Sequence, residues 1–303
     1  MPTLKKPQLI LLTADQWTDY ELLDSGNGLK LERYGPYRLV RPEAEAMWQP
    51  GLPQKEWDRA HAVFKTTGEE HGGHWEAKDD LPARWAIEYK GLRMWVQLSA
   101  SRHVGVFPEQ ASQWDWITNI VRANRRPLKV LNLFGYTGLA SLAASRAGAE
   151  VTHVDASRKT VNWARENQLL SNLVDRPIRW IIDDAVKFVQ RETRRGNQYD
   201  GLILDPPKFG RGPKGEVWEF YKLLPDLLDT CRKVLSPQAQ FVVLTAYAVK
   251  ASPITLHYAV QEMMSGYRGF TSAGEVTLME KSRGRLLSTA IFGRWEANPN
   301  VKR

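Results

Sequence analysis

Cysteine is nearly absent: Cys231 is the only one in 303 residues. A single thiol excludes a disulfide framework and a cysteine-rich zinc site within one chain, and it makes the cytoplasm the default location. Long apolar runs are missing as well. No stretch approaches the ~20 residues a membrane helix needs, so no membrane partner is expected. Met1 to Gln8 has no apolar segment followed by small residues, so no secretory leader is read there. Negative charge is in deficit: 34 acidic residues face 42 Lys and Arg, a formal net charge of +8. Disorder is excluded by composition, because 43% of residues are hydrophobic and only 25% charged. No internal repeat is visible.

The surplus cations cluster at Arg122/Arg125/Arg126, Arg191/Arg194/Arg195, Lys208/Arg211/Lys214, Lys281/Arg283/Arg285 and Lys302/Arg303. Such a balance favours a polyanionic partner through counterion release. Mild basicity for solubility accounts for it equally well.

Texture changes near residue 100. Six of the twelve tryptophans fall before it: Trp17, Trp48, Trp57, Trp75, Trp85 and Trp95. Dense turn signals and short alternating runs such as Leu29–Glu32 read as half-buried antiparallel hairpins. Residues 1–100 are therefore expected to form a β-rich N-terminal domain, a candidate for substrate binding. Its tryptophans either fill that core or stack on unpaired bases, and the core reading is favoured. His71 and His74 flank Gly72-Gly73, but no third ligand stands at a metal-site spacing, so a polar loop is read there.

A helix over Ala111–Ala123 carries Trp114, Ile117, Ile120 and Val121 on one face. From Leu128 onward strands and helices alternate. Strands are expected at Leu128–Phe134, Val151–Asp155, Ile178–Ile182, Gly201–Leu204 and Gln240–Thr245. The helices between them run over Gly138–Ala147, from Ser157 to Leu170, to about Arg194, and over Trp218–Val234. Another follows at Pro253–Met264. Two late runs, Ala273–Leu278 and Leu286–Phe292, look like a closing hairpin. The spacing demands an α/β fold: a doubly wound, mostly parallel, seven-stranded sheet over 101–303.

In such a sheet, ligands sit beyond the C-terminal ends of the strands. Four strand ends here carry polar or turn residues: Asn132–Gly138, Asp155, Asp183/Asp184 and Asp205–Phe209. Asp155 lies about 20 residues past the glycine turn, the offset of a ribose-binding carboxylate. The turn itself, Phe134-Gly135-Tyr136-Thr137-Gly138, is not Gly-x-Gly-x-x-Gly. Tyr136 fits poorly against a pyrophosphate, which disfavours a nicotinamide dinucleotide. A nucleoside-type cofactor asks only for one carboxylate at the ribose diol and another at the adenine amino group. At the fourth strand end, Pro206 and Pro207 cannot continue a ladder and hold the chain rigid beyond Asp205.

These motifs resemble those of class I S-adenosylmethionine-dependent methyltransferases, which share a Rossmann-like sheet. More narrowly they resemble the large-subunit ribosomal-RNA methyltransferases that include 5-methylcytosine enzymes. Gly105-Val106-Phe107-Pro108-Glu109-Gln110 is similar to that subfamily's G-F-F-x-D-Q segment. The resemblance covers about Trp85 to Trp295 and leaves the first eighty residues without an identifiable RNA-binding module. It implies S-adenosylmethionine as cofactor, RNA (ribosomal RNA in particular) as substrate, and no metal. Asp155, with Ala156 beside it, would take the ribose hydroxyls, and Asp184, followed by Ala185, the adenine amino group. Asp183 competes for that role, and Asp184 is preferred because it aligns with the family position. Asn132, Phe134, Gly135 and Gly138 would form the methionine-side pocket, with Phe107 and Gln110 closing over it. Asp205, Pro207 and Lys208 would be the catalytic segment, Asp205 also touching the cofactor. Phe209, Arg211 and Lys214 would meet the substrate.

One departure matters. The 5-methylcytosine enzymes attack the base with a cysteine at the end of strand five, where this chain reads Leu244-Thr245-Ala246-Tyr247. Methylation at carbon 5 needs a covalent adduct. Nitrogen or oxygen already carries a lone pair, so nitrogen or oxygen methylation is expected, by alignment of donor and acceptor. The rivals are a methyltransferase for a small molecule or protein, and a non-catalytic protein that binds the cofactor and RNA.

Overall fold

The computed structural model describes residues 6–67, 72–78 and 80–298. His71, Lys302, Arg303 and the first five residues of the expected leader-free terminus lie outside them. The chain opens with β1 (Leu9–Thr13), β2 (Tyr20–Gly26), β3 (Leu29–Tyr34), β4 (Tyr37–Pro42), a single helical turn α1 (Gln54–Trp57), β5 (Ala62–Thr66), β6 (Gly73–Ala77), β7 (Trp85–Tyr89) and β8 (Leu92–Val96). Next come α2 (Ala111–Ala123), β9 (Lys129–Leu133), α3 (Leu139–Ala147), β10 (Glu150–Asp155), α4 (Arg158–Leu170), β11 (Ile178–Ile182), α5 (Ala185–Arg194) and β12 (Gly201–Leu204). The last elements are β13 (Phe209–Arg211), β14 (Val217–Glu219), α6 (Phe220–Lys233), β15 (Phe241–Ala246), α7 (Pro253–Met263), β16 (Gly269–Met279) and β17 (Leu286–Ala297). No helix among the described residues is long and apolar enough to cross a membrane.

Two compact units result. One comprises 1–12, 112–276 and 290–303; the other comprises 13–111 and 277–289. The sequence reading divides the chain once, at residue 100. The compact units divide it at 111–112, and the N-terminal unit also takes back thirteen late residues.

The first unit is built on an eight-stranded sheet in the order β1-β16-β17-β15-β12-β9-β10-β11. Strands β15, β12, β9, β10 and β11 are parallel, and β17 pairs antiparallel with β15. The doubly wound sheet is as expected, with one strand more: β1 adds an edge next to β16. The central strands are apolar on both faces, as a sheet covered twice requires. Leu131, Leu133, Leu202, Leu204, Val242 and Leu244 face the core shared with α5, α6 and α7. Their neighbours Val130, Ile203, Phe241 and Val243 face the opposite core with α2 and α3. Each such buried aliphatic side chain stabilises by roughly 1.5–3 kcal/mol. Chain order reverses between β9 and β12, and beside that point the ends of adjacent strands diverge into a crevice.

The second unit holds a five-stranded sheet, β2-β3-β4-β5-β6, and the β7–β8 hairpin. Trp17, Trp57 and Trp85 are buried, and the other three early tryptophans are half-buried. Five of the six indoles, those of Trp17, Trp48, Trp57, Trp75 and Trp85, donate to partners inside the unit. Arg84 lies over the ring of the sixth, Trp95. These rings brace a small β fold, as the favoured reading had it. His74 sits exposed on β6. Glu32 is fully buried and accepts from Arg41, Tyr20 and Tyr34. Burial alone would raise its carboxyl, but Arg41 and Lys30 hold it at about 2. The 277–289 segment joins this unit through Glu280, which accepts from the Ser25 N–H at 2.8 Å.

Candidate active site

β9 ends at Leu133, and the chain turns over five residues into α3. Phe134, Tyr136 and Gly138 take left-handed angles, with φ of +57°, +50° and +83°. Side chains disfavour that region, so neighbours must hold the first two. The Gly135 N–H donates to the Val154 carbonyl at 3.1 Å, and the Tyr136 N–H to Asp155 Oδ2 at 2.9 Å. A Cβ on Gly135 would stand 2.3 Å from the His153 ring, and one on Gly138 would stand 2.7 Å from Ala164. Both glycines are therefore packing requirements of the turn.

Beneath the turn runs a buried polar chain. Asn132 Nδ2 donates to Ser141 Oγ at 2.9 Å, and Ser141 Oγ lies 3.0 Å from His153 Nδ1. Burial pushes the His153 imidazole down to about 3, so the ring is neutral near pH 7. Asn132 is 2% exposed, and its amide NH₂ is directed to Ser141. It supports the turn from below.

Asp155 ends β10 and is half-buried. Its Oδ2 accepts from Tyr136 N–H, while Oδ1 accepts from Ser157 N–H at 2.9 Å and Thr160 Oγ1 at 2.8 Å. A carboxylate offers about four acceptor positions, so one remains for a ligand hydroxyl. Ala156 follows, half-buried. One strand further out, the two adjacent aspartates are not equivalent. Asp183 pairs with Arg191 and accepts from the Asp184 N–H. Asp184 caps α5, its Oδ1 accepting from Lys187 N–H at 2.9 Å, and no described residue binds its second oxygen. Ala185 is buried as the first residue of that helix.

Asp205 follows β12, half-buried, its N–H directed at the Leu133 carbonyl. Pro206 is buried, while Pro207, Lys208 and Phe209 are exposed, Phe209 to 52%. The glycine-rich stretch 210–215 is not an open loop. It is the tip of a small antiparallel hairpin, β13–β14, with Phe209 paired to Glu219 and Arg211 to Val217. That pairing delays α6 to Phe220, two residues later than the expected Trp218. Trp218 instead locks the hairpin down. Its indole donates to the Pro207 carbonyl at 2.6 Å, and its ring lies 5.0 Å from that of Phe134. Glu216 ties the tip to α5 through Lys187 at 2.6 Å, a contact that holds its carboxyl at about 2. Arg211 and Lys214 project from this hairpin as exposed side chains with no carboxylate partner among the described residues.

Cys231 is fully buried in α6, within the core against α5 and β15, and burial pushes its thiol well above the usual range. It is not a nucleophile at this edge. Phe107 and Gln110 belong to the other compact unit, where they bound the single 3₁₀ turn Pro108–Gln110. Among the described residues no three His, Cys, Asp or Glu side chains converge as a metal site.

The ends of β9, β10, β11 and β12 thus bring Phe134–Gly138, Asp155, Asp184 and Asp205–Phe209 to one edge of the sheet. Two half-buried carboxylates there retain acceptor positions, beside a tight turn and a rigid Pro-Pro segment. A nucleoside's hydroxyl and amino donors match that set. The family model for S-adenosylmethionine-dependent methyltransferases matches residues 60–237. The chain belongs to this family. It is an enzyme of the methyltransferase class, and S-adenosylmethionine is its cofactor. A solved S-adenosylmethionine-dependent methyltransferase from Agrobacterium tumefaciens is 50% identical and superimposes with a TM-score of 0.91, covering 97% of each chain. A large-subunit ribosomal-RNA methyltransferase K/L of Aeromonas hydrophila is 27% identical over 67% of this chain and 31% of its own length. A large-subunit ribosomal-RNA methyltransferase I of Aeromonas salmonicida is 32% identical over 65% of this chain and 48% of its own. The chain therefore spans less than half the length of these two curated relatives.

Sequence reasoning missed three residues that support this candidate site: Trp218, Ser141 and His153. Trp218 reads as a helix start. Ser141 and His153 meet only once α3 is laid against β10, twelve positions apart in the chain. The signal available was a histidine inside a buried central strand, Val151-Thr152-His153-Val154.

Proposed function

We propose that the chain transfers the S-adenosylmethionine methyl group to a nitrogen or oxygen of RNA, with large-subunit ribosomal RNA as the substrate class and the cytoplasm as its setting. The names of the curated relatives support the substrate. So does the exposed hairpin at the acceptor edge, which carries Phe209, Arg211 and Lys214. An aromatic face beside cations suits an unstacked base and its phosphates.

In this reading Asp155 meets the ribose diol, accepting one of its hydroxyls at the remaining position, with Ala156 at its side. Asp184 takes the adenine amino group on its second oxygen, at the N-terminus of α5 beside Ala185. Asp183 is already committed to Arg191. Phe134, Gly135 and Gly138 wall the methionine side, with Asn132 supporting from below. Phe107 and Gln110 are assigned to the cofactor on their motif alone. Asp205, Pro207 and Lys208 present the acceptor, Asp205 from the cofactor side. The bound cofactor supplies an electrophilic methyl group, and these residues orient the acceptor lone pair toward it.

One observation carries the choice of atom: the only thiol of the chain, Cys231, is sealed in the core. Without a thiolate at the acceptor edge, no covalent adduct activates carbon 5 of a pyrimidine. The test is mass spectrometry of nucleosides from ribosomal RNA of cells with and without the gene. Loss of one N- or O-methylated nucleoside is the expected result. Loss of 5-methylcytosine, abolished equally by Cys231→Ala, would overturn the assignment.

A further inference from the structure

The opposite edge of the same sheet has its own character. Parallel registers align Lys129 with Glu150 and Val151 with Ile178, so the N-terminal ends of β9, β10 and β11 lie side by side. Doubly wound topology brings the C-terminal ends of α2 and α5 to that edge too. Two basic clusters that the acceptor site does not use, around Arg122 and Arg194, therefore fall together there. Arg122, Arg125, Lys129, Arg176 and Arg194 are exposed, and none has a carboxylate partner among the described residues. Arg126 instead grips Asp200, and Arg179 and Arg195 share Glu192.

A helix macrodipole favours cations in a last turn, which accounts for Arg122 and Arg194 taken singly. It does not account for Lys129, Arg176 or Arg179, which lie on or just before strands. At the N-terminal ends of β9, β10 and β11 opens a cleft of about 460 Å³, lined by Lys129, Arg179, Thr152 and Tyr199 as well as Glu150 and Glu192. Glu192 is spent on its neighbours, accepting from Tyr199, Asn197 and Arg195. The edge therefore presents the unpaired cations Arg122, Arg125, Lys129, Arg176 and Arg194 on the same side of the sheet as a concave, partly polar groove that Lys129 lines, an arrangement complementary to a sugar–phosphate chain. It lies a strand length, roughly 17 Å, from the catalytic edge. RNA reaching both edges must fold around the sheet.

We propose that this edge is a second RNA-backbone surface, which holds folded RNA at a distance from the methylated nucleotide. The proposal rests on RNA being the substrate. Phosphate contacts of this kind set orientation and affinity without reading sequence.

The test is fluorescence anisotropy with a labelled hairpin RNA of ~40 nucleotides, titrated at several KCl concentrations between about 50 and 200 mM. Three proteins are compared: the wild type, Arg125→Ala/Arg176→Ala/Arg194→Ala, and Arg122→Ala/Lys129→Ala. Calorimetry with S-adenosylhomocysteine, expected to be equal for all three, checks folding. The triple variant should bind RNA at least ~10-fold more weakly and lose about 3 from its log–log salt slope; the double variant should lose about 2. Wild-type affinity and slope in both variants, with steep salt dependence in the wild type, would overturn the second surface and leave the RNA reading standing. A wild type with no salt-dependent RNA binding would overturn both.

Discussion

In the second unit Glu32 is surrounded; in the first, Asp155 and Asp184 are not. Glu32 is 0% exposed and receives two Arg41 hydrogen bonds and two tyrosine hydroxyls. Nothing is left on it for a ligand to bind. Asp155 and Asp184 are half-buried, oriented by backbone and hydroxyl donors, and each keeps an acceptor position. All are carboxylates that the fold holds in place. Saturation makes one a structural strut, and incomplete saturation leaves the other two with capacity for a ligand donor. Asp183 shows the same rule within two residues: salt-bridged to Arg191, it is on the structural side.

The sharpest break of that contrast is Arg41→Ala. It removes both guanidinium hydrogen bonds from the buried Glu32 carboxylate and leaves it only the Lys30 cation, 3.9 Å away, which costs about 3–5 kcal/mol of stability. Chemical denaturation should show that loss, and Glu32→Gln in the same background should recover part of it. A change under about 1 kcal/mol would remove Glu32 from the structural class.

Gly135→Ala works on the other side of the comparison. Its Cβ would collide with the His153 ring at 2.3 Å. Overpacking of this kind costs about 1–3 kcal/mol. Because the Gly135 and Tyr136 N–H groups pin the turn to β10, S-adenosylhomocysteine affinity should fall by more than the stability loss accounts for. Calorimetric titration well below the melting temperature separates the two effects.

Acid provides a smaller and more selective probe. The folded His153 ring stays neutral down to about pH 3. An unfolded histidine binds a proton near pH 6.5. Acidification from 6.5 toward 3 therefore favours unfolding, by about 1.4 kcal/mol per pH unit from this group. Glu32 adds its own loss only below about 4.5, as pH falls toward its folded value of about 2. His153→Asn should flatten the stability–pH slope from 6.5 down to about 3, leaving the Glu32 contribution below about 4.5 in place. An unchanged slope in the upper window would show that the ring is not held neutral.

The parts legible in the sequence share a physical origin. Buried parallel strands must be apolar throughout, so Leu202–Leu204 and Val242–Leu244 announce themselves. Gly148 closes α3 with a left-handed cap, and Ser157 caps α4 with its side chain. The places of Asp155, Asp184 and Asp205 at the strand ends were legible because the apolar runs before them mark where each strand stops. What was not legible depends on distant partners. β1 becomes a strand only beside β16, some 260 residues later. The 277–289 segment belongs with β2 through contacts some 260 positions apart in the chain, Glu280 with Ser25, Lys281 with Glu21 and Ser282 with Asp24. Three-residue strands such as β13 and β14 carry too little periodicity to show, so the hairpin read as a loop and Trp218 as part of a helix.

If acceptor capacity left over on a carboxylate recruits the adenosyl cofactor, Asp155 and Asp184 bind it and the committed Asp183 does not. Calorimetric titration of S-adenosylhomocysteine into the wild type, Asp155→Asn, Asp184→Asn and Asp183→Asn tests it most directly. Loss of a charged hydrogen bond should weaken binding by roughly 10–100-fold at Asp155 and Asp184. At Asp183 the change should stay within about threefold, since that residue serves Arg191. Affinity lost at Asp183 and retained at Asp184 would contradict the account.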